Sequence, residues 1–306
     1  MSTGTMTSVM ESQKAQRSSW LSRHPLWGYG LLAYGITYGI LFGAIIAIQS
    51  GVLQPDGPLG FVLNQVSAAG PAVAALIVLA VTQGRQGVGD LLRRLVQWRV
   101  GVQWYLFTLV AVPLIILSGY RITSGTAIFS ILAQNWPLFF TFFLPVVARI
   151  AIETGLAEEP GWRGFALPRI QAKHGPLLGS LFLGLFWALW HLPNIAFGGQ
   201  PLSFFGLEIA AAVVTAYTYT WVYNHTRGSL FIAMLLHGAI NGSSNLISML
   251  VGPVDLQIMV QLYTGVILAN GIFMLVVTLL SRGRLGYRPA EEGASGSGAL
   301  GEKASA

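Results

Sequence analysis

Long apolar segments recur along the whole chain, separated by short polar stretches. A helix rises about 1.5 Å per residue, so about 20 apolar residues cross the roughly 30 Å hydrocarbon layer of a bilayer. Segments approaching that length cover residues 27–48, 66–82, 105–119, from 136 onward, 176–197, 202–223, 229–250 and 256–280. The pattern predicts an all-α polytopic membrane bundle of about eight transmembrane helices.

A different pattern follows the second apolar segment. In the stretch GVGDLLRRLVQW, arginines are interleaved with leucine, valine and tryptophan at near-helical spacing. One apolar face and one basic face are typical of a helix that lies in the membrane interface. We therefore predict an interfacial amphipathic helix here, with a simple basic loop as the alternative.

The first apolar segment also carries small residues at a regular spacing. Gly35, Gly39, Gly43 and Ala47 recur every four residues and so share one helix face. Small residues at this spacing allow another helix backbone to approach closely. This face is predicted to be a packing seam.

Composition supports the membrane assignment and limits the number of domains. The chain has 306 residues, of which 54% are hydrophobic and 9% charged, and its mean hydropathy is +0.63. Residues 1–24 are rich in Ser and Thr and are expected to form a disordered basic cytoplasmic arm; residues 283–306 are expected to form a disordered cytoplasmic tail. Residues 25–282 then form a single transmembrane helical domain, with the chemically interesting motifs within 158–245.

The net charge of +6 is explained by topology. With both ends on the inner side, every Lys and Arg outside the spans except Arg121 falls on an inner segment, while Arg149 lies within a span. This bias predicts an even number of crossings with both termini cytoplasmic. We expect an integral protein of a prokaryotic plasma membrane whose partner is the lipid bilayer, and no nucleic-acid partner. The absence of cysteine excludes disulfides and a cysteine nucleophile.

The stretch EEPGWR places two adjacent carboxylates and an arginine in this apolar context. Unpaired charge at membrane depth is costly, so Glu158, Glu159 and Arg163 need partners. Glu159 and Arg163 are spaced for an ion pair along one helix face. One carboxylate can then serve as a general base while Arg163 keeps the other ionised. Pro160 is tolerated only near a helix start or a kink, so we expect the motif at a helix break.

Two later segments each place a histidine within an apolar run, WALWH at His191 and HGAIN at His237. His237 and Asn241 lie one turn apart, so both can aim donors at one oxygen, as in an oxyanion site. His191 can orient a water molecule or ligate a metal. Each histidine taken alone is more simply an interhelical hydrogen-bonding group.

The three motifs resemble those of the CPBP intramembrane proteases, which comprise CAAX proteases and bacteriocin-processing enzymes and are also called the ABI family. That family has the patterns EExxxR, FxxxH and HxxxN/D, and the similarity extends from the amphipathic stretch to about residue 250. Trp187 stands where the family has Phe, at a position that we interpret as packing. The resemblance implies an intramembrane endopeptidase that acts on a peptide or membrane-protein substrate, in peptide maturation or bacteriocin self-immunity. We expect cleavage within a cavity open to the cytoplasm.

The resemblance also implies roles for individual residues. Glu158 would activate water with the help of His191, and His237 and Asn241 would stabilise the oxyanion. Glu159 and Arg163 would support the site. The family has been described both as metalloproteases and as glutamate-dependent proteases. If zinc is bound, Glu158, His191 and His237 would be its ligands; because no close-spaced ligand pair such as HExxH is present, we favour a site without an obligatory cofactor.

Several alternatives stay open at the level of sequence. The same polar residues would suit a non-enzymatic membrane scaffold or a proton-linked carrier. Arg149 and Glu153 are interpreted as an internal ion pair and Glu208 as an interfacial residue. Glu158 and His191 can share a site only if the helix carrying Glu158 continues toward Leu167, or if the next helix begins outside the hydrocarbon.

Overall fold

The computed structural model describes residues 20–54, 57–193, 201 and 204–289, and all regular structure in these ranges is helical. The expected N-terminal arm up to residue 19 and the tail from residue 290 lie outside the described residues. The helices are α1 (Trp20–Arg23), α2 (Pro25–Gln49), α3 (Pro58–Ser67), α4 (Gly70–Leu95), α5 (Val102–Ser124), α6 (Ile128–Gln134), α7 (Phe139–Trp190), α8 (Phe205–His225), α9 (Leu230–Val251) and α10 (Leu256–Leu280).

A polytopic helical bundle is confirmed, and its helices account for the predicted segments. Among the described residues, six helices are long and apolar enough to cross a membrane, namely α2, α4, α5, α7, α9 and α10. Helix α7 contains two predicted segments, because its 52 residues reverse direction at Gly175, which has φ 75° and ψ 167°. Helix α8 is not among the six, since threonine, tyrosine and tryptophan lower the hydropathy of its second half.

The reversal at Gly175 makes α7 an antiparallel hairpin with two legs. A Cβ atom at Gly179 on the second leg would lie 3.1 Å from the Cα atom of Gln171 on the first. The positive φ at Gly175 favours glycine, which has no side chain to clash in that conformation. As a result, the first two chemical motifs of the sequence lie side by side on one helical hairpin.

The first leg of α7 runs without a break through the carboxylate motif, although a helix break was expected there. Pro160 lies inside the helical segment Leu156–Gly161, and π-helical turns at Ala151–Gly155 and Trp162–Ala166 flank it. Such turns widen the hydrogen-bond ladder locally and so accommodate an irregularity such as a proline. The continuation past Glu158 toward Leu167, which a shared site required, is therefore present.

The amphipathic stretch is helical, as predicted. It forms the second half of α4, after a kink at Gly84 with φ 62° and ψ −153°. Leu91 is buried while Leu92 is exposed. Nη1 of Arg94 donates to the hydroxyl of Tyr223 at 2.8 Å, which anchors this segment to α8.

The predicted seam of small residues on α2 is wrong within this chain. A Cβ atom added at Gly35, Gly39 or Gly43 would meet no other atom within 4 Å. The close contact of α2 instead involves Gly70 of α4, where a Cβ atom would lie 2.2 Å from Oγ1 of Thr37. Helix α2 therefore packs through the face that carries Thr37, beside the glycine stripe. The glycine that permits this approach, Gly70, is on the partner helix α4.

The domain boundaries also differ from those expected. Trp20–Arg23 is helical, although it falls within the expected arm. Leu285 is fully buried, and its carbonyl oxygen accepts a hydrogen bond of 3.1 Å from Nδ2 of Asn224. Leu285 therefore packs into the described helical fold, although residues after 282 were expected to form a tail.

Candidate active site

The carboxylate motif lies at a point where α4 and α7 are in direct backbone contact. A Cβ atom at Gly161 would lie 2.5 Å from the carbonyl of Pro71, so glycine permits this approach. The adjoining side chains are sealed from outside: Glu158 is 4% exposed, and Glu159 and Arg163 are both 0% exposed. Two carboxylates at this depth require compensation from neighbouring groups.

Glu159 is compensated by two donors that share one of its oxygens. Nη1 of Arg163 donates to Oε1 of Glu159 at 3.0 Å, and Nδ1 of His237 lies 2.9 Å from the same oxygen. Because a carboxylate oxygen is the acceptor, we assign the proton to Nδ1 of His237. Oε1 of Glu159 thus holds Arg163 and His237, while its Oε2 is buried without a hydrogen-bond partner among the described residues.

The guanidinium of Arg163 also lies between two aromatic rings. Its central carbon is 3.6 Å from the ring centroid of Tyr219 and 4.7 Å from that of Trp187. Nε and Nη2 of Arg163 have no hydrogen-bond partner in the described part of the chain. The ring faces therefore provide the remaining compensation for this charge through cation–π contacts.

Glu158 adjoins this network and also borders a cavity. Its Oε1 lies 3.9 Å from Nε2 of His237, which is beyond direct hydrogen-bonding distance. Glu158 and His237 both line a cavity of about 480 Å³. The carboxylate of Glu158 is therefore the member of the pair that can meet a substrate.

Trp187 contributes a contact that sequence reasoning missed. Its Nε1 donates to Oε2 of Glu158 at 2.9 Å, with both side chains buried. The expectation that this position serves only packing is wrong, because the indole N–H is a donor that the family's phenylalanine lacks. The sequence did contain a signal for this contact. Trp187 replaces phenylalanine in the same motif as His191, and that motif was expected to lie near a buried carboxylate.

His191 and Asn241 line the same cavity, but they are not part of the buried network. Nδ1 of His191 lies 3.5 Å from Oε1 of Glu208, and no hydrogen bond or ion pair joins His191 to Glu158 among the described residues. Glu208 was expected at the interface and instead forms part of the cavity wall, with its side chain 12% exposed. Nδ1 of His191 has no hydrogen-bond partner among the described residues, so its contact with Glu208 is one of proximity only.

The residues proposed as zinc ligands do not surround a single point. In the part of the chain that the structure describes, no three carboxylate or imidazole groups converge as a metal site requires. Oε1 of Glu158 lies 3.9 Å from Nε2 of His237, whereas Nδ1 of His191 lies 3.5 Å from Oε1 of Glu208. We therefore derive no chemical step through a metal ion.

The other predicted ion pair is present. Arg149 Nη1 and Glu153 Oε2 form a direct hydrogen-bonded ion pair on the first leg of α7, with side chains 55% and 33% exposed. Neither residue is among those lining the cavity. The predicted ion pair is therefore confirmed and lies outside the site, but it is partly exposed at the protein surface and not internal.

Two comparisons with known proteins bear on this site. The family model described as Type II CAAX prenyl endopeptidase Rce1-like matches residues 135–243, which include all three motifs. A curated relative, the CAAX prenyl protease 2 of Methanococcus maripaludis, is 24% identical over 189 residues, covering 58% of this chain and 69% of the relative. Together with the three motifs, these matches confirm the resemblance to the CPBP intramembrane proteases.

Proposed function

We propose that this protein hydrolyses peptide bonds within the membrane, with a water molecule activated by Glu158. The main observation behind the proposal is that the two adjacent carboxylates have different surroundings. Glu159 is sealed and bound by Arg163 and His237, whereas Glu158 lies at the wall of a cavity. One carboxylate thus organises the site and the other is placed to react.

In the proposed reaction, Glu158 removes a proton from a water molecule as its oxygen attacks the carbonyl carbon of the scissile bond. The carbonyl π electrons move to the oxygen and produce a tetrahedral oxyanion. The oxyanion then collapses, the carbon–nitrogen bond breaks, and Glu158 returns the proton to the leaving nitrogen. The products are a carboxylic acid and an amine, so atoms and electrons balance.

We assign stabilisation of the oxyanion to His237 and Asn241. Both lie on α9 and line the cavity one turn apart. When His237 is protonated, Nδ1 donates to Glu159 while Nε2 becomes a donor toward the cavity. Preorganised donors of this kind cost no reorganisation when charge develops in the transition state.

His191 and Trp187 position the reacting groups in this proposal. The indole of Trp187 holds Oε2 of Glu158, which leaves Oε1 facing His237 and the cavity. Glu208 lies beside Nδ1 of His191 and orients its ring, so that Nε2 can contact the water molecule. Both arrangements restrict the geometry of attack, which lowers the entropic cost of reaching the transition state.

The substrate class that we propose is a peptide or a segment of a membrane protein. The curated relative is named for a prenyl substrate, and lipid modification of the substrate is one form that this class can take. We place the protein in a plasma membrane with the basic ends of its helices in the cytoplasm, which is the orientation favoured by the distribution of Lys and Arg.

The direct test is cleavage of a peptide library by the purified full-length protein, with and without a chelator. We expect new amino termini to appear in both conditions, because the proposed reaction uses only side chains and water. Retained abundance with no cleavage of any peptide would contradict the proposed function. If the chelator abolishes cleavage and zinc restores it, the metal-independent mechanism is contradicted. Glu158, His191 and His237 would then again be the candidate zinc ligands.

A further inference from the structure

The cavity occupies only one half of the bundle. Its lining residues on α8 and α10 come from the first half of each helix, within 204–215 and 259–266. On α7 they include the end of the second leg, within 187–191. On α9 they include Asn241 and Ser244, which lie beyond His237 in the direction of Val251.

The basic residues lie at the opposite ends of these helices. They follow α8 and α10 and precede the reversal of α7; they are Arg169, Lys173, Arg227, Arg282 and Arg284. Contacts place the end of α4 on this same face, since Nε2 of Gln97 donates to the carbonyl of Thr226 at 3.2 Å. The positive-inside rule makes this basic face cytoplasmic.

A sealed layer separates the cavity from the basic face. Beneath Glu158, the side chains of Glu159, Arg163, Phe165 and Leu230 are all 0% exposed. A Cβ atom at Gly164 would lie 2.5 Å from Cδ1 of Leu91, so α4 and α7 interlock in this layer. These described side chains are therefore tightly packed between Glu158 and the basic face.

The charge of the cavity wall restricts what can enter. Glu158 and Glu208 both line the cavity, while no lysine or arginine is among the described residues that line it. Arg163 lies behind the wall and is shielded by Glu159, Tyr219 and Trp187. A wall with two carboxylates and without lysine or arginine among its described lining residues disfavours acidic segments and favours neutral or basic ones.

We propose that the substrate reaches Glu158 from the face opposite the basic one, which is the extracytoplasmic face, and not from the cytoplasm as expected from the sequence. The substrate is a polypeptide segment with neutral or basic residues around the scissile bond. Its hydrolysis rests on the proposed function, whereas the side of access and the charge preference depend only on the position and the lining of the cavity.

The side of access can be tested by labelling single cysteines in intact cells. The natural chain has no cysteine, so each variant carries one reactive thiol. Asn64→Cys reports on the cavity wall, Val254→Cys on the loop between α9 and α10, and Arg93→Cys on the basic face, where the arginine side chain is 80% exposed. A membrane-impermeant maleimide is added before or after permeabilisation.

We expect Asn64→Cys and Val254→Cys to react in intact cells, and Arg93→Cys to react only after permeabilisation. Reaction of Asn64→Cys and Arg93→Cys together, with both requiring permeabilisation, would overturn the proposed access. Reaction of Arg93→Cys from outside, with Val254→Cys protected, would show the inverted orientation and would overturn it as well.

The charge preference can be tested without relying on turnover. Purified Asn64→Cys protein is labelled in the presence of two peptides of the same neutral core, one flanked by lysines and the other by glutamates. We expect the lysine-flanked peptide to slow labelling at roughly tenfold lower concentration at low salt, and the difference to shrink as salt is raised. Equal protection, or stronger protection by the glutamate-flanked peptide, would overturn the charge preference.

These measurements separate the two proposals. If labelling and protection follow the expected pattern while no peptide is cleaved, the proposed hydrolysis fails and the assigned access stands. If peptides are cleaved while Asn64→Cys is reached only from the cytoplasm, hydrolysis stands and the assigned access fails.

Discussion

Two Arg–Glu ion pairs lie on the first leg of α7, and both have the four-residue spacing of a helical pair. Arg149 and Glu153 have side chains 55% and 33% exposed, whereas those of Glu159 and Arg163 are both 0% exposed. The outer pair can move or rearrange at the protein surface. The inner pair is fixed by His237 and by two aromatic rings, so the same local pattern supports a site only when tertiary packing surrounds it.

The largest effect should appear in catalysis, at Glu158, the carboxylate next to the inner pair. Glu158→Gln keeps the shape of the side chain and an oxygen that can accept from Trp187, but it removes the proposed base. We expect cleavage to fall by about 10²- to 10⁴-fold with unchanged membrane abundance. Glu153→Gln is the matched control on the same helix and should cleave like the natural protein; equal activity of the two variants would favour a non-enzymatic scaffold or carrier.

The next largest effect should be on stability. Arg163→Met removes one charge of a fully buried pair and leaves Glu159 with less compensation. We expect a loss of about 3–5 kcal/mol in the free energy of unfolding, seen as reduced abundance and a lower thermal midpoint in detergent. Arg149→Met should lose clearly less, because its pair is 55% and 33% exposed and the inner pair is fully buried. Equal losses would show that burial is not what separates the pairs.

A smaller effect is expected at the indole that holds Glu158. Trp187→Phe installs the aromatic residue of the resembling family and removes one hydrogen bond to a charged group, so kcat should fall about tenfold with little change in KM. Trp190→Phe is the control, since that indole donates to Oγ1 of Thr37 at 3.0 Å instead. Equal changes in kcat for the two variants would contradict a positioning role for Trp187.

The smallest effect is expected when the outer pair is replaced as a unit. The double variant Arg149→Leu, Glu153→Leu exchanges two charges for apolar side chains on a helix that crosses the membrane. Abundance and cleavage should stay unchanged or rise slightly, because no charge is left without a partner. The thermal midpoint and the cleavage rate of the purified protein measure this, and a clear loss of activity would connect the outer pair to the site.

Local features of the sequence were enough to predict the helical membrane class and the residues with chemical potential. Apolar runs and an i,i+4 carboxylate–arginine spacing depend only on helix geometry, which operates over a few residues. For that reason the Glu159–Arg163 pair, the amphipathic stretch and the Arg149–Glu153 pair could all be predicted. The packing of Gly35, Gly39 and Gly43 could not be predicted, because a face of small residues does not determine which helix lies next to it.

The tertiary structure alone decided how the motifs meet. The hydrogen bond from Trp187 to Glu158 joins residues 29 positions apart, and it exists because Gly175 folds α7 into a hairpin. The relative rotation of the helices decided which carboxylate is sealed and which borders the cavity. It also placed that cavity in the half of the bundle away from the basic residues. Helix rotation and depth follow from side-chain packing between distant segments, and periodicity within one segment carries no information about either.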